Sequence, residues 1–210
     1  MKEETKKIFL YSITLLISIN LFLLVINYGM KGAYIQVLWA CYIGMALISI
    51  GIARRKYNLV LSQILILAIP DSLWIIDLIF RLITGKFLTG FATNMFLGMK
   101  PLEEILFMQH LYTVPLAILA LYLMKPPKKK TPALIIAFAE IIILFVLGLT
   151  LNVFIPQNSS LNCLPTGTSC SLGLSFTGLP YYLFWFAMVI SMVVLSYLVF
   201  TNLKFLKKKT

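Results

Sequence analysis

The sequence predicts an all-α, polytopic integral membrane protein with about six transmembrane helices. Three observations lead there. Hydrophobic residues make up 60% of the chain and charged residues only 12%, a balance foreign to soluble domains. The apolar residues fall into six runs, each near the ~20 residues that cross a bilayer as helix. Cations gather at alternate ends of those runs, as short cytoplasmic loops require.

The first run, Ile8 to Ile26, follows lysines as a secretory signal would. Asn27-Tyr28-Gly29-Met30 is nevertheless a poor cleavage site, and the run has spanning length, so it reads as a first membrane helix. The second, Ala33 to Ala53, contains Cys41 and stops at Arg54-Arg55-Lys56. The third, Leu59 to Ile83, carries Pro70 and Asp71 near its middle, then Trp74, Asp77 and Arg81. The fourth, Pro101 to Met124, opens PLEEILFMQHL with Glu103, Glu104 and the only histidine, His110. The fifth, Ala133 to Ile155, holds Glu140 about two turns in, and the sixth is Gly178 to Leu203. No room remains for a soluble domain. The chain reads as one membrane domain: a four-helix part (1–124), a Pro/Lys linker KPPKKKTP (125–132) and a two-helix part (133–210).

With the amino terminus in the cytoplasm, that side receives Lys2, Lys6, Lys7, Arg54, Arg55, Lys56, Lys125, Lys128, Lys129, Lys130, Lys204, Lys207, Lys208 and Lys209. The other side receives Lys31, Arg81, Lys86 and Lys100. Fourteen against four puts both termini of this integral cell-membrane protein on the cytoplasmic side. It also explains the net charge of +11 through anionic headgroups, without nucleic acid. Membrane lipid is thus the expected partner, and homo- or hetero-oligomers stay open.

On the external side lies the uncharged segment from Pro156 to Thr177. Its Cys163 and Cys170 flank a turn-rich spacer that permits a disulfide in an oxidising compartment, with two unpaired thiols as the alternative. Two thiols without histidine make no metal site, and no cofactor motif is found. Asn158-Ser159-Ser160 fits the N-glycosylation pattern. The connection from Thr84 to Lys100 is too apolar for a free loop and is expected to lie in the interface or dip back toward the helices.

Ionisable groups inside spans mark functional sites by default. Counting depth at 1.5 Å per residue puts Asp77 and His110 in one layer. Glu103 and His110, seven residues apart, share a helix face. Asp77 and Arg81 have ion-pair spacing. Each also has a plain structural role: Glu103 and Glu104 favour a helix start, Asp77 with Arg81 stabilises packing, and a membrane histidine bonds a neighbouring helix. Asp71 after Pro70 stands beside a carbonyl that proline frees.

The pattern Trp74, Asp77, Gly85, Gly90, Met95, Phe96, His110 and Pro115 resembles a family of small polytopic prokaryotic membrane proteins without an assigned activity. PLEEILF, Pro101 to Phe107, is similar to the Pro-x-Glu-Glu signature of the membrane lycopene cyclase domain. That resemblance implies cofactor-free cyclisation of a polyene, with Glu103 and Glu104 as acid and base. The family generally has two motif-bearing halves; residues 131–210 do not repeat the motif. A Glu-Glu pair also marks abortive-infection type intramembrane proteases, but Met108 stands where they have arginine.

Two functions are therefore expected to compete. One is acid–base chemistry on a lipid or isoprenoid, with Glu103 or Glu104 donating a proton, His110 and Asp77 relaying it and Arg81 fixing Asp77. The other is a non-enzymatic subunit, scaffold or small carrier in which the same groups lock helices or bind a headgroup.

Overall fold

The computed structural model describes residues 2–32, 37–89, 92, 101–154 and 179–203. Its helices are α1 (Glu3–Met30), α2 (Ala40–Ala53), α3 (Tyr57–Thr84), α4 (Pro101–Phe107), α5 (Gln109–Leu123), α6 (Thr131–Phe154) and α7 (Leu179–Asn202). Five helical stretches are long and apolar enough to cross a membrane, and no strand occurs among the described residues. The architecture is all-α and polytopic.

Two runs differ from their expected helices. The second gives only the 14 residues of α2. At 1.5 Å per residue that is about 21 Å, short of the ~30 Å hydrocarbon core. α1 continues through Asn27 and Tyr28 to Met30 before Gly32 (φ +67) turns the chain, and α2 starts only at Ala40. The fourth run is broken at Met108. There the Met108 N–H donates to both Glu104 O and Ile105 O at 3.2 Å, and the Leu111 N–H donates to Met108 O at 2.9 Å. Such i→i+3 bonds tighten the turn and change the phase between α4 and α5.

α3 is the central helix, packed against α2, α5, α6 and α7. Apolar periodicity explains little here, because α3 is buried on nearly every side over Val60–Ala68. Close approach does more. A Cβ on Gly44 would lie 2.6 Å from Leu67 Cδ1, and one on Gly51 would lie 2.7 Å from Val60 Cγ2, so these glycines let α2 seat on α3. One core includes Ile17 of α1, Met45 of α2, Ile64 of α3, Leu121 of α5, Ile141 of α6 and Val193 of α7. The linker at 125–132 divides the sequence but not this core. Outside it, Phe22, Ile79, Ile143 and Leu195 are exposed, the apolar rim that a bundle turns toward lipid.

The helix starts and ends also assemble the charges. Asn58 Nδ2 donates to Lys129 O at 3.4 Å, joining the α2–α3 corner to the linker, while Lys6 pairs with Glu3 on the first turn of α1. Arg54, Arg55 and Lys56 stand at that same corner, where Arg55 adopts a left-handed conformation (φ 52).

Candidate functional site

The ionisable residues of the spans occupy four separate places. The first lies between α3 and α5. His110 Nδ1 is 2.8 Å from Asp71 Oδ1, and His110 Nε2 is 3.1 Å from Gln109 Nε2. An amide nitrogen only donates, so His110 Nε2 accepts and Nδ1 carries the hydrogen given to Asp71. Gln109 Oε1 accepts from the Thr113 hydroxyl at 3.3 Å. Cys41 of α2 brings its thiol to the Gln109 side chain. Asp71, Gln109 and Thr113 are buried; His110 keeps a partly open edge. Trp74, one turn beyond Asp71, lays its ring 5.1 Å from that of His110, and the Phe107 ring lies 6.2 Å from it.

Asp77 occupies a second place. Gly85, with φ +76, ends α3 in the left-handed conformation that glycine tolerates, and the chain folds back along the helix. The Leu88 and Thr89 N–H groups donate to Asp77 Oδ1, both at 2.7 Å, and the Ala92 N–H donates to Oδ2 at 2.9 Å. Asp77 is wholly buried and holds this returning segment against Trp74 and Leu78. Residues 85–89 and 92 thus dip back as expected, and the carboxylate satisfies their amides. Residues 90, 91 and 93–100 lie outside the described residues.

Two expectations are corrected by these contacts. Asp77 does not share a layer of contacts with His110; Asp71 takes the imidazole, because α5 crosses α3 nearer its middle. The Asp77 oxygens accept from backbone amides, and the Arg81 guanidinium lies 5.1 Å over the Phe87 ring. Glu103 does not join His110. It pairs with Lys31 and accepts from Asn27 Nδ2 at 3.4 Å, both at the C-terminal end of α1. Glu104 is exposed.

The fourth place was not expected as a pair. Gln63 Nε2 of α3 donates to Glu140 Oε2 of α6 at 2.6 Å and to Ser62 Oγ at 3.2 Å. The signal was one glutamine within LVLSQILILAIP, a polar interruption of an apolar run. Gln109 and Thr113 carried a similar signal, four residues apart beside His110. Cys163, Cys170 and Asn158 lie outside the described residues, as do Gly90, Met95 and Phe96. Among the described residues no cluster of three or more His, Cys, Asp or Glu is placed to hold a metal ion.

No protein-family model, curated protein or solved structure gives a significant match to this chain.

Proposed function

We propose that the protein is a membrane enzyme moving protons on a lipid or isoprenoid substrate, with His110 as the acid–base group and Asp71 as its orienting partner. The observation that carries this reading is the 2.8 Å contact between His110 Nδ1 and a buried Asp71 carboxylate. A carboxylate on one ring nitrogen fixes the tautomer and stabilises the imidazolium, which leaves the other nitrogen to exchange protons. Among the described residues that nitrogen meets the Gln109 amide, a contact a substrate can displace.

The walls suit a hydrocarbon. Trp74 and Phe107 flank the imidazole, and aromatic faces attract the positive charge that appears when a double bond is protonated. Imidazolium gives its proton to one alkene carbon; neutral imidazole then takes a proton from a carbon beside the cation. The result is isomerisation or ring closure without a redox cofactor. The PLEEILF resemblance supports the same class of chemistry, although its two glutamates stand apart from the dyad. The basic end is the cytoplasmic one under the positive-inside rule, which puts Cys163 and Cys170 outside as a proposed disulfide.

A specific observation favours the non-enzymatic reading as well: Asp77 and Glu103 are engaged by protein partners, as packing locks are. His110→Gln and Asp71→Asn separate the two. Expected are folded variants, checked by thermal unfolding in detergent, whose host cells show an altered lipid-extract mass spectrum relative to wild type. An unchanged lipid profile with a folded His110→Gln protein removes the enzyme and leaves the lock.

A further inference from the structure

The Gln63–Glu140 contact leaves two oxygens unused. Glu140 Oε1 and Gln63 Oε1 are both buried side-chain atoms without a hydrogen-bond partner, on residues whose other polar atoms are already joined at 2.6 Å. Gln63 is wholly enclosed and Glu140 is 9% exposed. An orphaned acceptor at such depth is costly, and two on one pair are unusual. As a carboxylate and an amide carbonyl, both oxygens can only accept.

One added hydrogen resolves both. A proton on Glu140 Oε1 turns that atom into a donor, and Gln63 Oε1 is the acceptor on the same amide that already donates to Oε2. A carboxylic acid and a carboxamide are matched for a reciprocal ring of two hydrogen bonds. We propose that Gln63 and Glu140 form a proton-binding site, in which Glu140 is held as the neutral acid and docks α6 on α3. A metal cation would need several more oxygens than these residues supply. This centre is separate from the Asp71–His110 dyad.

The titratable residues in the helices packed against α6 are Tyr57, Asp71, Asp77 and Arg81 of α3, with Tyr181, Tyr182 and Tyr197 of α7. The Gln63 amide donates to the Glu140 carboxyl, and among the described residues no ion pair involves Glu140. Neutralisation by a proton, rather than by a cationic side chain, is consistent with that setting.

Infrared spectroscopy of the full chain in lipid nanodiscs at neutral pH tests the site. Protonated carboxyl groups show a carbonyl stretch that carboxylates lack. Glu140→Gln is expected to remove one such band, and Gln63→Leu to shift it without removing it, because the acid loses its amide partner. A spectrum in this region identical in wild type and Glu140→Gln shows a carboxylate and overturns the proposal. So does Gln63→Leu with the band unshifted. If Glu140→Gln does not fold, Gln63→Leu alone decides. A second readout is thermal unfolding against pH: wild type is expected to lose stability on alkalinisation to an extent that Glu140→Gln does not. An equal alkaline loss in both proteins again overturns the site.

Discussion

Asp71 and Asp77 stand six residues apart on one helix, both buried, and do different work. Asp77 spends its two oxygens on three backbone amides of a segment that α3 itself sends back. Asp71 reaches across to another helix and meets a ring that can change its charge. Burial and residue type are the same for both. The partner makes the difference: amides cannot titrate, so Asp77 is bound to structure, whereas an imidazole can exchange protons.

The comparison breaks most visibly at Asp77. Asp77→Ala removes the acceptor for three amide donors, and the expected loss is about 3 kcal/mol or more of stability, read as a large fall in thermal-unfolding temperature. Asp77→Asn should cost about 1.5–3 kcal/mol, because Oδ1 can still accept from Leu88 and Thr89 while a side-chain NH2 opposes the Ala92 N–H. Neither should alter lipid composition in proportion beyond the loss of folded protein. If Asp77→Asn unfolds no earlier than wild type, the segment is not held by this carboxylate.

Asp71→Asn sharpens the other half. The amide oxygen can still accept from His110 Nδ1–H, so about 1 kcal/mol or less is expected in stability, with the larger effect on lipid chemistry. A variant as unstable as Asp77→Ala would make Asp71 a second packing lock. Glu103→Gln should do least, under about 1 kcal/mol, since its Lys31 partner is 42% exposed and such pairs contribute little. A collapse on Glu103→Gln would mean that the α1–α4 contact is structural to the whole bundle.

Much of the fold was legible because its signals are coarse. Run length located every long helix, and proline with carboxylates marked the start of α4. What failed was geometry beyond a single straight helix. Counting depth from the ends paired Asp77 with His110, yet the level at which α5 crosses α3 is fixed by packing. The face shared by Glu103 and His110 assumed an unbroken helix, and nothing in Phe107-Met108-Gln109 announces a tightened turn. Some of the site was readable all the same. Asp71 and Trp74 lie one turn apart, which puts carboxylate and indole on one face, and Pro70 drew attention to that turn. Glu140 was visible as a carboxyl in lipid; its partner Gln63 was not sought, because an amide carries no charge.

The short helix α2 has an electrostatic consequence. Its first turn begins at Ala40, and Cys41 lies near enough to Gln109 and Asp71 to interact with both. The first amides of a helix have no intrahelical acceptor and carry together about half a positive charge. A full span would put that charge at the membrane surface; α2 instead begins it inside the bundle, on a helix packed against the one that carries Asp71.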